Sequence, residues 1–258
     1  MSAYAFDNRT AIFLAAICAQ TYSQFENGAF IVPRSYTIVT TFKAASYKGQ
    51  EEDFGFILES SDTIVLAFRG TNTRSDWISD AIASQDKYPY LRNSGMVHRG
   101  FLHIYESPRK KILTALNKLS SKKELWITGH SLGGGLSTLS AVDVAANTKF
   151  KCPSVYTYAS PRVGNLAFSK TFNSLIAGHH RIYNAHDFVP LLPPLIYRSP
   201  KTDQTYHYIH VKKGYELDFQ KGSIAANHAI GNYFSDLSRL NPSFTQELCM
   251  HNPGFCPL

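Results

Sequence analysis

Two rhythms of apolar residues run through this chain. Residues 11–19 are almost continuously apolar and sit inside a helix-like stretch at residues 8–24. Shorter segments at residues 36–42 and 53–59 predict strands. Thr63-Ile64-Val65-Leu66-Ala67-Phe68 predicts a strand buried on both faces, ending at Arg69-Gly70-Thr71. Residues 100–118 predict a helix that Pro108 kinks or splits. A central strand at 125–128 and a helix at 132–146 follow, then a strand at 154–159 and a helix at 165–176. Strands at 180–184 and 206–211 and a final helix at 225–240 complete the pattern. Strands alternating with helices imply an α/β fold, a mostly parallel sheet covered on both faces. There is no internal repeat, low-complexity tract or long linker, so residues 1–258 are expected to form one domain.

Composition changes this picture little. Hydrophobic residues make up 44% and charged residues 17%, the balance of a globular chain rather than a disordered one. The net charge is +7 and the pI about 9.1, which suits anionic partners. Yet no dense basic block appears; Arg109-Lys110-Lys111 and Lys122-Lys123 read as solvated helix ends, so nucleic acid is not an expected partner. No stretch reaches the roughly 20 apolar residues of a membrane span. The run at 11–19 resembles a signal-peptide core, but Asp7 and Arg9 precede it and no clean cleavage site follows. It is read as a core helix, and the chain as carrying no signal peptide. The four cysteines, Cys18, Cys152, Cys249 and Cys256, show no metal spacing. No metal or other cofactor is expected. Cys18 reads as buried packing. Cys249 and Cys256 are equally compatible with a bridge and with free thiols, and a bridge would argue for an oxidising, extracellular setting.

The chemistry-bearing stretch is Leu125-Trp126-Ile127-Thr128-Gly129-His130-Ser131-Leu132-Gly133-Gly134. It contains G-x-S-x-G between a strand and a helix, the setting of a nucleophile elbow. Glycines must flank the serine because a Cβ there would collide with strand or helix. The N–H of Leu132 opens a helix, where free donors and the dipole favour an anion. Ser131 is therefore the candidate nucleophile and Leu132 N–H one oxyanion donor.

A serine nucleophile needs a base, and the base an orienting carboxylate. In α/β-hydrolases the order is Ser, then Asp or Glu, then His. Asp187 stands just past the strand at 180–184, where sites in open α/β sheets gather. Asp203, Asp218 and Asp236 compete with it. Among the later histidines, His207 and His210 fall in an edge-strand pattern and His251 in the tail. His228 stands at the mouth of the last helix and is the preferred base.

Gly129-His130-Ser131-Leu132-Gly133-Gly134, Ala67-Phe68-Arg69-Gly70-Thr71 and Val97-His98-Arg99-Gly100-Phe101 together resemble the class 3 lipases, the family of filamentous-fungal triacylglycerol lipases. Ser160-Pro161-Arg162-Val163-Gly164-Asn165 and residues 184–194 resemble the same family, so the likeness covers about residues 8–233. It implies an α/β-hydrolase fold and a Ser131–His228–Asp187 triad. It places the second oxyanion donor on Thr71, through its N–H and hydroxyl. Tyr22 would support the oxyanion loop, and Asp80 would hold the oxyanion hydroxyl in an open form. It also implies a lid after Thr71, at about residues 72–88. There Trp77, Ile78, Ala81 and Ile82 share one helical face and Asp76, Ser79, Asp80 and Ala83 the other. Two departures stand out. His228 is followed by Ala229-Ile230-Gly231-Asn232-Tyr233, with the tyrosine later than in fungal members, and the fungal disulfide framework is not reproduced.

The expected activity is hydrolysis of lipid carboxylic esters through an acyl-enzyme. Residues 189–196 are the candidate acyl wall. The expected partner is a lipid or ester at an oil–water interface, met through transient contact with a membrane or micelle by a monomer. Phospholipase or short-chain and feruloyl esterase activity are the enzymatic alternatives, and a membrane-surface binding protein is the non-enzymatic one.

Overall fold

The computed structural model describes residues 5–45, 50–71, 84–200, 202–212 and 214–257. Helix α1 spans Asn8–Asn27, capped at its start by the Asp7 carboxylate on Thr10 N–H (2.7 Å) and ended by Gly28 at φ 68°. Strands β1 (Thr37–Ala45), β2 (Glu51–Glu59) and β3 (Thr63–Phe68) follow, then the short β4 (Gln85–Lys87) and β5 (Met96–His98). Helix α2 is Arg99–Lys118, β6 Glu124–His130, α3 Leu132–Asn147, β7 Ser154–Tyr158, α4 Leu166–Leu175 and β8 His179–Asn184. A 3-10 turn at Val189–Leu191, β9 (Ile196–Arg198), β10 (Thr205–His207) and β11 (Tyr215–Leu217) lead to α5 (Ile224–His228), α6 (Ile230–Ser238) and α7 (Pro242–His251).

Seven strands form the main sheet in the order β1-β2-β3-β6-β7-β8-β11. The β1–β2 and β2–β3 pairs are antiparallel, and every pair from β3 to β11 is parallel. Alternation in β3 explains its unbroken apolar run. Ile64, Leu66 and Phe68 join the core under α2, α3 and α4, while Val65 and Ala67 meet α1 and α6 on the other face. Pro108 does not split α2. It lies on the buried stripe Phe101, Ile104, Tyr105, Pro108, Ile112 and Leu116, whose burial outweighs one missing backbone bond.

Two sequence expectations change, and the question left open at Cys249 and Cys256 is answered. The expected helix at 225–240 is two helices, because Ala229 takes an extended conformation (φ −64°, ψ 129°) between α5 and α6. The expected strand at 206–211 shrinks to β10, paired only with β9 outside the main sheet, while β11 takes the sheet edge. Cys249 and Cys256 are bridged and tie down the C-terminal turn, whereas Cys18 is buried and free.

His98 caps α2. Its Nδ1 accepts from the N–H groups of Gly100 (3.1 Å) and Phe101 (3.3 Å), which a protonated ring could not do. Burial holds its pKa down at about 4, against 6.5 for an ordinary histidine. Between those values the unfolded chain binds the proton and the folded chain does not. The cap's contribution is therefore complete above about pH 6.5 and is lost as pH falls toward about 4. His98→Asn keeps a capping oxygen but does not titrate. Its urea midpoint should drop less between pH 7 and pH 4.5 than that of the unsubstituted chain; equal drops would refute the assignment.

Candidate active site

The sheet brings the candidate residues to the ends of neighbouring strands. Ser131 follows β6 directly and sits at φ 58°, ψ −128°, a strained conformation for a residue with a Cβ. The glycines around it make that turn possible. A Cβ on Gly129 would stand 2.3 Å from the Gly133 carbonyl, and one on Gly133 would stand 2.3 Å from the Phe68 carbonyl. The elbow is thus packed backbone to backbone against β3. The Ser131 N–H donates to the Tyr158 carbonyl of β7 (2.9 Å), fixing the turn from its other side.

Asp187 arrives on the loop after β8, and His228 as the last residue of α5, beyond β11. Ser131 Oγ lies 2.8 Å from His228 Nε2, and His228 Nδ1 lies 2.8 Å from Asp187 Oδ2. A carboxylate only accepts, so Nδ1 carries the proton and Nε2 is the free base facing the serine. All three groups are buried, with Asp187 3% exposed. The Asp187 carboxylate is fully used. Its Oδ1 accepts from Val189 N–H (3.0 Å), and its Oδ2 also accepts from the Tyr233 hydroxyl (2.7 Å). Burial, and then the adjacent Asp187 charge, push the Tyr233 phenol well above its ordinary pKa, so it remains a donor.

Tyr233 is a site residue that its sequence position hid. The break at Ala229 starts a new helix and turns Tyr233, five residues after His228, back toward the acid. The later tyrosine is thus the geometric consequence of the split helix. Asn227 of α5 and Asn184 at the end of β8 join the two segments. Asn184 Nδ2 donates to the Asn227 carbonyl (3.1 Å), and Asn227 Nδ2 donates to His186 O (3.2 Å) and Gln220 Oε1 (2.7 Å).

The oxyanion candidates flank the serine. Leu132 is the first residue of α3, so its N–H has no acceptor within the helix. Thr71 follows Gly70, whose Cβ would stand 3.1 Å from Ser131 Cβ. The Thr71 hydroxyl oxygen is enclosed and has no hydrogen-bond partner among the described residues. An enclosed, unused hydroxyl is costly unless something fills its need, and a negatively charged oxygen over Ser131 would. Asp80 and the expected lid residues Trp77, Ile78, Ala81 and Ile82 lie outside the described residues.

His130 also emerges as a site residue. Its Nε2 is 2.7 Å from the His228 backbone carbonyl, an acceptor only, so Nε2 carries the proton. Its Nδ1 is 2.7 Å from the Tyr22 hydroxyl. That hydroxyl lies against the oxyanion strand, since a Cβ on Gly70 would stand 2.2 Å from it. Tyr22 and His130 therefore tie the segment at Gly70, the elbow at Ser131 and the His228 backbone together. His130→Phe keeps the ring and loses both bonds. The expected result is a fall in kcat of about 100-fold with KM little changed, as for a misplaced base. A variant that loses thermal stability but keeps kcat would contradict this.

The segment at 189–196 is only partly a wall. Val189, Pro190 and Pro193 are buried, but Leu191, Leu195 and Ile196 are exposed, as are Phe188 and Ile209 nearby in the chain and Ile224 at the start of the His228 helix. His210 is not solvated, because its Nε2 donates to the Pro190 carbonyl (2.7 Å).

Similarity to known proteins agrees with this geometry. The family described as Lipase (class 3) matches residues 65–197. Phospholipase A1-II 1 of Oryza sativa subsp. indica is 32% identical over 209 residues, covering 67% of this chain and 52% of that protein. The Rhizomucor miehei protein named Lipase is 34% identical over 142 residues, covering 53% of this chain and 39% of that protein. The chain thus spans about half or less of the length of these curated relatives. The crystal structure of mono- and diacylglycerol lipase from Aspergillus oryzae superimposes with a TM-score of 0.69 at 21% identity, covering 85% of this chain and 82% of that one. That likeness shows the shared α/β-hydrolase fold, with its mostly parallel sheet between helical layers. With the matched family region spanning just over half of its residues, the chain belongs to the class 3 lipase family.

Proposed function

We propose that this protein hydrolyses carboxylic esters of lipids through an acyl-enzyme on Ser131. The observation that carries the reading is the continuous relay from Ser131 Oγ through His228 to Asp187, at 2.8 Å for each step. His228 Nε2 takes the Ser131 proton as Oγ attacks the ester carbonyl. The tetrahedral oxyanion accepts from the N–H groups of Leu132 and Thr71 and from the Thr71 hydroxyl. His228 then protonates the leaving alcohol as the C–O bond breaks. Water, deprotonated by His228, releases the fatty acid and regenerates the serine. Asp187 and Tyr233 hold His228 in the tautomer this needs.

The lipid part of the reading rests on the exposed apolar side chains along the segments that carry Asp187 and His228. Six large ones, Phe188, Leu191, Leu195, Ile196, Ile209 and Ile224, are between 39% and 68% exposed. Apolar surface of this kind favours a lipid surface over bulk water. Relatives named lipase and phospholipase A1 support both neutral and phospholipid esters as substrates.

Hydrolysis of p-nitrophenyl esters of graded acyl length, beside an emulsified triglyceride and a phospholipid dispersion, tests the proposal. Turnover of the dispersed lipids is expected, with rates rising once substrate exceeds its solubility. Turnover confined to short, soluble esters would reduce the reading to an esterase. Lipid adsorption with no turnover of any ester would favour a surface-binding protein.

A further inference from the structure

The face of β8 turned toward α4 carries a guanidinium, Arg181, that no described carboxylate pairs with. Arg181 is 8% exposed, and its guanidinium has no hydrogen-bond acceptor among the described residues; its Nε is wholly enclosed. It lies 4.7 Å over the Tyr183 ring. Two residues earlier on the same face, His179 is 6% exposed and both of its ring nitrogens are enclosed without a partner among the described residues. The Phe172 ring of α4 meets His179 edge-on at 4.9 Å.

Arg162 and His210 border these two groups. Burial, and then the charge of Arg181, drive the His210 imidazole down to about 3, with Arg162 adding to the effect. Both border residues are engaged with main-chain carbonyls. Arg162 Nη1 donates to Leu191 O and to Pro193 O (2.7 Å), and His210 Nε2 to Pro190 O (2.7 Å). Lys212 Nζ donates to Ala177 O (2.7 Å). The adjacent carboxylate on β11, Glu216, accepts from the Tyr183 hydroxyl (2.7 Å). Among the described residues, no carboxylate supports the charge of Arg162 or Arg181.

A buried guanidinium without an anion is costly, and natural folds rarely retain one uncompensated. We propose that Arg181 and His179, bordered by Arg162 and His210, form a subsite for a phosphate group beneath the loop that carries Asp187. Guanidinium suits this ligand because its fork of donors matches two phosphate oxygens at once, leaving a third for an imidazole N–H. Gly214 packs closely on the stacked Arg181 and Tyr183 side chains, since a Cβ there would stand 2.6 Å from both Arg181 Nη2 and Tyr183 Cε1. The phosphate belongs either to a glycerophospholipid whose ester reaches Ser131 or to phosphate free in solution. The lipid source rests on the hydrolase reading above; the free source does not.

Thermal unfolding of the full chain in inorganic phosphate, against sodium chloride of equal ionic strength, tests the subsite. Phosphate at about tenfold its dissociation constant should raise the Tm by about 2–4 °C. Arg181→Met should abolish that shift while holding or raising the Tm in chloride, because it removes a buried charge. If Arg181→Met does not fold, His179→Phe, which preserves packing against Phe172, should at least halve the shift. Hydrolysis of dioleoylphosphatidylcholine in mixed micelles, relative to dioleoylglycerol in the same micelles, separates the sources. A ratio about tenfold lower in Arg181→Met assigns the phosphate to the headgroup; an unchanged ratio with a lost Tm shift assigns it to free phosphate. No Tm shift in the unsubstituted chain, or an equal shift in both variants, overturns the subsite. A phosphate shift in a chain that hydrolyses neither lipid would sink the hydrolase reading and leave the subsite standing.

Discussion

Ser131→Ala is expected to lower kcat for any ester substrate by about a million-fold, and Asp187→Asn by about ten-thousand-fold, with both proteins folded. The first change removes the atom that 2.8 Å geometry aligns with His228 Nε2. The second is nearly isosteric, so its effect isolates proton placement. Both carboxylate oxygens of Asp187 accept: Oδ1 from Val189 N–H, and Oδ2 from His228 and Tyr233. An amide has one acceptor oxygen. With that oxygen toward His228, its NH2 group opposes the Val189 N–H. With the NH2 group toward His228, the imidazole must move its proton to Nε2 and cannot take one from Ser131. Single-turnover acylation with a p-nitrophenyl ester measures both losses directly. A residual rate within tenfold of the unsubstituted protein in either variant would refute the proposed triad.

The second large effect lies away from the serine. Asp143 of α3 is fully buried, and four donors converge on it. Oδ2 accepts from the Tyr105 hydroxyl and Arg109 Nε, each at 2.7 Å. Oδ1 accepts from Arg109 Nη2 (2.9 Å) and Asn147 Nδ2 (2.7 Å). Arg109 also stacks on the Tyr90 ring at 4.0 Å. Asp143→Ala leaves the Tyr105 hydroxyl enclosed without an acceptor and strands the guanidinium at the edge of the core. The expected loss is about 3–5 kcal/mol, a large part of a typical domain's 5–15 kcal/mol. Tyr105→Phe removes one donor, leaves the ion pair, and should cost only about 1 kcal/mol. Urea unfolding monitored by tryptophan fluorescence compares them. Equal, small losses would mean that the cluster is not holding α2 to α3.

The elements that sequence reading placed well are those buried on both faces or bounded by sharp signals. β3 matched its six residues because nothing in 63–68 can face water, and α3 began at Leu132 because the elbow forces it. The misplaced elements follow from long-range contacts. Residues 225–240 carry a continuous helical pattern, but Asp187 draws both His228 and Tyr233 to itself, and a straight helix could not aim both side chains at one carboxylate. Residues 206–211 alternate like a sheet strand, yet the edge of the main sheet is taken by Tyr215–Leu217, whose three residues are too few to register as a pattern.

The candidate site divides in the same way. Ser131 and Leu132 were legible from five local residues, because a nucleophile elbow is a backbone constraint that only small neighbours satisfy. Asp187 and His228 were legible from chain order and strand ends, because α/β crossovers carry consecutive loops to one edge of the sheet. The roles of His130 and Tyr233 were not legible, although Tyr233 stood out as a tyrosine placed later than in fungal members. Their roles depend on partners 98 and 46 residues away, and no local spacing encodes a hydrogen bond to a distant carbonyl or carboxylate. The same holds for Arg181, an ordinary residue of the expected strand at 180–184, and for His179 just before it, until the packed fold showed Arg181 Nε and both His179 nitrogens enclosed without a partner among the described residues. Local sterics and periodicity act between near neighbours and can be read along a chain. Desolvation and polar satisfaction depend on which surfaces meet, and those surfaces exist only after the sheet has closed over its helices.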